Sequence, residues 1–312
     1  MDPQSIRGRH AEVVAKSGAW TAHNIQIAPG VFTMEDGPVG DDERIRRITQ
    51  LVSDLGGVPW ERMRLLDLAS LEGLYGLEFA LRGAEVLSVE GRDDNLAKAE
   101  FARDCLGLTR FTTRRGDVRE VSVERDGRFD VVLCLGILYH LESPSLFDFI
   151  MRLGEMTTRL LVVDTHIALR PKAIVRWGGA EWSGRHFLEH AAGSTVEEVR
   201  SRRWAALDNP TAFWLTEASL LRLLQRAGFT SIYLCKAPDT PGQKEDRVTL
   251  VAIKGTPAEV RSNPWPNRLE PGAFAERVER PHPTWRGIAH DLLYKMKLRG
   301  AAARLLRPSN RG

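Results

Sequence analysis

Leu65-Leu-Asp-Leu-Ala-Ser-Leu-Glu-Gly-Leu-Tyr-Gly76 decides the fold. Leu65–Leu68 reads as a strand with an acid, Asp67, near its end. A tight turn follows, a helix opens near Gly73, and the apolar spacing carries it over Leu74–Leu81. Ligands of open parallel sheets bind beyond the C-terminal strand ends, where helix N-termini offer unpaired N–H groups. Asp67, Ala69, Ser70 and Gly73 are therefore candidate contacts for a nucleotide-like ligand. Asp67 has an alternative role, capping or orienting the turn.

The same rhythm extends outward. Glu85–Val89 reads as a second strand, and Glu90 at its end lies seventeen residues beyond Gly73. An acid there can accept both ribose hydroxyls of a nucleoside, with Gly91, Arg92 and Asn95 beside it. Asp94–Cys105 reads as a helix with Asp93 or Asp94 as N-cap. In Gly116-Asp-Val118, Asp117 follows a third strand and is placed to hydrogen-bond an adenine amino group, with Val118 alongside. Asp130–Leu135 is a buried strand that delivers Leu135 and Gly136 to the same edge. Ser145–Met156 reads as a helix, and Leu160–Asp164 as a continuous apolar strand. Thr216–Ala227 is helical and stops at Gly228, a natural C′ residue. Phe229–Leu234 and Val248–Ile253 flank a Pro/Gly/Asp loop (Pro238–Asp246) short enough for a hairpin.

Strands that are apolar on both faces, separated by helices, predict a parallel sheet covered on both sides. The expected fold is α/β: a Rossmann-like, doubly wound, mostly parallel seven-stranded sheet with an antiparallel edge. Residues 1–60 read as an N-terminal extension ending in an amphipathic helix (Ile45, Ile48, Leu51, Val52, Leu55). Residues 61–170 and 212–255 form the core, and 171–211 an insertion after the fifth strand. Residues 256–312 form a Pro-rich, then basic, tail.

The core segments resemble the class I S-adenosylmethionine-dependent methyltransferases. The similarity covers Leu65 to about His166 and resumes from Phe213 to Ile253. Glu90 and Asp117 match that family's ribose and adenine acids in position. Its first motif carries alternating glycines, and this chain has Asp67-Leu-Ala69-Ser70-Leu71-Glu-Gly73, keeping only the last. Ala69 and Leu71 leave less room for the methionine portion of the cofactor, so an altered loop path or a derivative of the donor stays open. The resemblance implies S-adenosyl-L-methionine as cofactor and S-adenosylhomocysteine as product. It implies cofactor contacts at Asp67, Ala69, Ser70, Gly73, Glu90, Gly91, Arg92, Asn95, Asp117, Val118, Leu135 and Gly136. A shorter likeness, Gly136-Ile-Leu-Tyr-His140 followed by Ser143-Pro144, is similar to the tRNA wobble-uridine carboxymethyltransferase branch.

Methyl transfer from a sulfonium requires in-line alignment and exclusion of water. A hydroxyl acceptor also benefits from a general base. Tyr139 and His140 follow the fourth strand, and Asp164, Thr165 and His166 end the fifth. His140 is the first candidate for base or acceptor-orienting group. Its alternative is a histidine satisfied by a neighbouring carboxylate such as Glu142. Asp164 and His166 can form an orienting pair or a second base, or Asp164 can cap the next turn. His186 and His190 would share one face of a helix, but a solvated or substrate-facing helix is favoured and no metal is expected. Trp177, Trp182, Phe187 and Trp204 in the insertion can wall an acceptor pocket as a lid or form the insertion's own core. Trp20, His23 and Asn24 are candidates to close the pocket from the N-terminal side.

Composition bounds these readings. The chain has 312 residues, 43% hydrophobic and 27% charged, and a formal charge of +3. Disorder, collagen and a disulfide mini-scaffold are excluded as global descriptions. Cys105, Cys134 and Cys235 form no CxxC pair, which fits reduced thiols and argues against structural zinc. The start lacks an apolar secretory core, and Val131–Tyr139 is about half a membrane span. A soluble cytoplasmic monomer or homodimer, without stable membrane insertion, is expected. From Pro281 onward seven Lys/Arg face one acid, a segment suited to an anionic surface or RNA, or to packing as a solvated helix. The leading expectation is a methyltransferase acting at oxygen on a small-molecule acceptor. The alternatives are a tRNA wobble-uridine methyl- or carboxymethyltransferase and a non-catalytic module of the same fold.

Overall fold

A computed structural model describes residues 2–35, 43–236, 244–258 and 262. They lie in the first of two units, Met1–Leu269. The basic tail, residues 36–42 and residues 237–243, which include most of the Pro238–Asp246 stretch, fall outside the described residues.

The chain opens with α1 (Pro3–Ser17), capped by the Asp2 carboxylate, which accepts from the Ser5 N–H. A small hairpin, β1 (Gln26–Ala28) and β2 (Val31–Phe32), follows, then α2 (Glu43–Leu55), which buries Ile45, Ile48 and Val52. The core begins with β3 (Arg64–Leu68), α3 (Leu74–Leu81), β4 (Glu85–Glu90), α4 (Asp93–Leu106) and β5 (Phe111–Arg115). A single turn, α5 (Val123–Asp126), leads to β6 (Phe129–Leu135), α6 (Ser145–Met156) and β7 (Thr157–His166). The insertion comprises β8 (Ala173–Trp177), β9 (Ala180–Leu188), α7 (Val196–Ser201) and β10 (Thr211–Leu215). It is followed by α8 (Glu217–Arg226), β11 (Ser231–Cys235) and β12 (Arg247–Ile253).

Seven strands form the central sheet in the order β11-β12-β7-β6-β3-β4-β5. The five from β7 to β5 are parallel neighbours, while β12 runs antiparallel to both β7 and β11. Both faces are buried, as the apolar runs require. Leu66, Leu68, Val132, Cys134, Leu161 and Val163 pack on one side with α6 and α8. Leu65, Val131, Leu133, Leu160 and Val162 pack on the other with the N-terminal elements, α3 and α4. The chain leaves β3 toward β4 and β5, then returns to the other side of β3 with β6. This reversal opens a cleft at the C-terminal strand ends.

The insertion differs from expectation. His186 lies on β9, not on a helix shared with His190, so the two do not occupy one helical face. A second sheet of order β10-β9-β8 runs through Leu215, past the expected core boundary at 212. Gly178-Gly179 forms the two-residue hairpin turn between β8 and β9, with φ of 57° and 77°, the positive values that such turns require. The N-cap of α4 is Arg92. Asp93 and Asp94 fall in the first turn, where carboxylates complement the helix dipole.

Candidate active site

The turn after β3 keeps a left-handed path without the glycines. Ala69 and Leu71 have φ of 50° and 49°, and Gly73 has 87°. The loop thus adopts, at two residues that carry a Cβ, the backbone conformation that glycine favours. It carries strain, since a residue with a Cβ costs about 1–2 kcal/mol in this region. Ala69→Gly is expected to stabilise the protein by about 1 kcal/mol. Chemical denaturation reads this directly, and an equal or lower stability would contradict it.

Backbone and side chains close the loop tightly. Gly73 N–H donates to Ser70 O at 2.9 Å, and the Ser70 and Ser88 hydroxyls lie 2.6 Å apart. Asp67 is buried and accepts from the Gly76 N–H at 3.0 Å, so it orients the first turn of α3. Burial pushes its carboxyl from 3.8 up to about 7, opposed by the Gly76 hydrogen bond, reinforced by Glu90 and opposed by Arg44. Below about pH 4 the group is protonated in both folded and unfolded chains. Between about 4 and 7 only the folded chain holds the proton, so stability falls as pH rises, by about 1.4 kcal/mol per pH unit. Asp67→Asn should remove that slope. A wild-type-minus-variant difference that stays flat from about pH 4.5 to about 6.5 would refute it.

Glu90 ends β4 and is 4% exposed. Its Oε2 accepts from Leu71 N–H at 2.8 Å, and Oε1 accepts from Arg92 N–H at 2.9 Å and Asn95 Nδ2 at 3.4 Å. A carboxylate offers about four acceptor positions, so Oε2 retains one for a hydroxyl. Burial raises the Glu90 pKa against these hydrogen bonds. Asp117 caps the short helical turn Val118–Glu120, accepting from Arg119 N–H at 2.7 Å and Arg119 Nε at 2.8 Å. Burial acts to raise its pKa, but the Arg119 bonds outweigh it and hold the carboxyl below its ordinary range. Val118 is buried beside it. The two acids thus follow neighbouring strands with anchored carboxylates, an acceptor set that fits the donating hydroxyls and amine of a nucleoside.

The other half of the cleft lies at the ends of β6 and β7. Gly136 turns with φ 92°, and its N–H donates to Asp164 O at 2.8 Å, beside Leu135. A Cβ there would stand 3.7 Å from Arg44 Nη2, 3.7 Å from the Tyr139 hydroxyl and 3.9 Å from Arg247 Nη2. Asp164 is buried. Its Oδ1 accepts from Arg44 (3.1 Å) and Arg247 (2.8 Å), and its Oδ2 from the Thr249 hydroxyl (2.8 Å). Burial would raise its pKa, but the two guanidinium groups more than reverse that. Asp164 is consequently an ion-paired anchor. His166 does not pair with it; its Nδ1 lies 2.8 Å from Asp246.

His140 meets a carboxylate, but not Glu142. Its Nδ1 is 3.0 Å from both Glu189 oxygens, and Glu189 is buried. Tyr139 packs 4.3 Å from the His140 ring and 4.8 Å from His166. Trp214 stacks on His166 at 4.9 Å and on Phe187 at 4.5 Å, and its Nε1 donates to Tyr139 O. Glu189 and Trp214 were not singled out from sequence. The exposed Gly178-Gly179 turn was the available signal, since pairing β8 with β9 leads Glu189 back toward the strand ends.

The remaining candidates are placed elsewhere. Trp182 is buried among Phe147 and Phe213, and Trp177 stacks on Phe147 at 5.2 Å, so both belong to the insertion's seat on α6. Trp204 is exposed. Trp20 is buried against His10 and Phe101. His23 Nδ1 accepts from the Leu74 N–H at 3.3 Å, which puts it beside the loop after β3, and Asn24 Oδ1 accepts from Met34 N–H. Among the described residues, no group of three His, Cys, Asp or Glu side chains is placed to hold a metal, and no helix is long and apolar enough to cross a membrane.

A methyltransferase-domain family model matches residues 66–153. A ubiquinone biosynthesis O-methyltransferase of Leptothrix cholodnii is 23% identical over 194 residues, covering 53% of this chain and 79% of that protein. Its counterparts in Azorhizobium caulinodans and Cereibacter sphaeroides are each 31% identical over 109 and 149 residues. Those two alignments cover 34% and 45% of this chain, and the chain spans only 42% and 58% of those relatives' lengths. The N-terminal domain of EvdMO1, crystallised with SAH and D-fucose, superposes with a TM-score of 0.61 at 24% identity. That superposition covers 82% of this chain and 98% of the other, and establishes the shared fold.

Proposed function

We propose that this chain, whose residues 66–153 match a methyltransferase-domain family model, is an S-adenosylmethionine-dependent methyltransferase that methylates a hydroxyl of a small-molecule acceptor. The observation that carries this reading is the His140–Glu189 pair at the end of β6, across the cleft from Glu90 and Asp117. The relatives' names, which specify O-methylation, support oxygen as the target. Bound S-adenosylmethionine supplies an activated methyl on a sulfonium. Glu90 and Asp117 would hold its ribose and adenine, and Ala69 to Gly73 would line its methionine portion.

His140 would take the acceptor's hydroxyl proton at Nε2 as the oxygen attacks. Glu189 at Nδ1 fixes the ring and its tautomer and stabilises the imidazolium that results, the arrangement that serves general bases elsewhere. Tyr139 and the nearby aromatic rings would align the acceptor and exclude water. Arg44 and Arg247 keep Asp164 ionised and paired, so it leaves proton transfer to the histidine.

The donor assignment is tested by calorimetry with S-adenosylhomocysteine. Glu90→Ala should weaken binding about tenfold or more, the loss of about one or two charge-assisted hydrogen bonds. Unchanged affinity would sink the assignment.

A further inference from the structure

Residues 189–209 form a strap with two ends that touch different parts of the cleft. At the nucleoside end, consecutive residues reach the loops that carry both acids. Leu207 lies against Gly91, immediately after Glu90: a Cβ on Gly91 would come within 2.5 Å of the Leu207 side chain. Asp208 accepts from Arg119 at 2.6 Å, and that same guanidinium is held by Asp117. Arg92, two residues beyond Glu90, donates to the carbonyls of Arg200 and Arg202 at 2.9 Å each.

The other end grips the histidine. Glu189 holds His140 Nδ1, while Glu189 Oε2 also accepts from Ala206 N–H at 3.0 Å. Asn209 Nδ2 donates to His140 O at 2.9 Å. The residues that touch the acids' loops, Leu207 and Asp208, are flanked in the chain by Ala206 and Asn209, which touch Glu189 and His140. Movement of one pair necessarily moves the other.

We infer that this strap couples donor binding to the catalytic histidine: Leu207 and Asp208 read occupancy of the adenosine end, and Glu189 and Asn209 set His140 in response. Asp208 is the positioning residue that joins the two. The inference rests on the donor assignment above. It implies an ordered reaction, in which the acceptor's base is fully aligned only after the donor is in place. An ordering of this kind prevents the activated methyl group's site from being assembled around water alone. Coupling is reciprocal, so docking of the strap must tighten donor binding by the same factor that the donor favours docking.

The test needs no acceptor. Arg200 and Arg202 are exposed, and their carbonyls are the ones that Arg92 holds, so trypsin cleavage after them reports undocking. With S-adenosylhomocysteine at saturation, verified by calorimetry, cleavage should slow about tenfold in the wild type. The His140 imidazole resonances, recorded by NMR on the labelled protein, should shift on the same addition. Asp208→Asn leaves Arg119 on Asp117 and should abolish both responses at saturation, and Asp208→Glu should restore them. Leu207→Ser, a second exposed change, should weaken both. If the ligand binds but cleavage rates and His140 signals do not change, the coupling is wrong while the donor assignment stands. Faster cleavage would mean that the strap is displaced by the donor, and overturns the inference equally. A calorimetric failure of the wild type to bind would instead remove the donor assignment and this inference with it.

Discussion

His140→Gln is expected to lower kcat by about 10²–10³-fold, with affinity for S-adenosylhomocysteine changed by no more than about threefold. The argument is positional. His140 stands at the end of β6, one strand across the switch point from β3, while Glu90 and Asp117 stand at the ends of β4 and β5. Glu90 and Asp117 keep their own anchors, the Leu71 and Arg92 N–H groups for Glu90 and Arg119 for Asp117. None of these touches the His140 ring, and the strap keeps its Asn209 bond to the backbone carbonyl of residue 140 in the variant, so donor binding should change little. Glutamine keeps the side chain polar and close in size, but cannot take the proton. Glu189→Gln should fall between wild type and His140→Gln, because it keeps a hydrogen-bonding partner for Nδ1 and loses the charge that stabilises the imidazolium. The measurement is initial-rate kinetics with an acceptor found by screening for S-adenosylhomocysteine release. A His140→Gln enzyme with wild-type kcat would show that alignment alone drives transfer and that the ring is structural.

The strands and helices of the core were legible because their signals are local. Leu65–Leu68, Glu85–Val89 and Leu160–Asp164 are apolar on both faces, and the structure buries both faces. The positions of Glu90 and Asp117 after β4 and β5 were legible because strand ends and spacing place them. The partners of the catalytic candidates were not. Glu189 lies 49 residues from His140, and Asp246 lies 80 from His166, so only tertiary pairing brings them together. Glu142, near in sequence, was the natural expectation and the wrong one. The helix anticipated around His186 failed for a related reason. Spacing of four suits a helix, but the Gly178-Gly179 turn ahead of it commits Ala180–Leu188 to an antiparallel strand. Ala69 and Leu71 illustrate the reverse case. Glycine is absent from the sequence at both positions, yet the turn retains the conformation glycine would favour, because Glu90 and Ser88 hold it from the adjoining strand.

Glu72→Gln should destabilise the protein by about 3–5 kcal/mol, the cost of leaving a buried charge without its counter-charge. Glu72 and Lys98 are both 0% exposed. The Lys98 ammonium lies 3.4 Å from Glu72 Oε1 and donates to Ala19 O at 2.7 Å. Burial lowers the Lys98 pKa, and Glu72 pulls it back. Glu72 also accepts from the N–H groups of Thr21 (2.7 Å), Ala22 (3.0 Å) and His23 (2.9 Å). One carboxylate in the loop after β3 therefore binds the N-terminal segment down, and His23 completes the join by accepting from Leu74 N–H. The asymmetry between the two partners is the discriminating feature. Lys98→Met leaves Glu72 with three backbone donors, as a carboxylate at a helix cap has, so its cost should be smaller, about 1–3 kcal/mol. Glu72→Gln leaves the Lys98 ammonium without a counter-charge, held by the Ala19 carbonyl and the face of Trp20. In a double-mutant cycle the Glu72→Gln, Lys98→Met pair should recover part of the loss of the first change, because the uncompensated cation is gone. Denaturation curves give the free energies, and amide exchange at Thr21, Ala22 and His23 locates them, rising first in Glu72→Gln. Equal costs for the two single variants, or exchange at those amides unchanged in Glu72→Gln, would show that the N-terminal segment is held by its apolar contacts and not by this carboxylate.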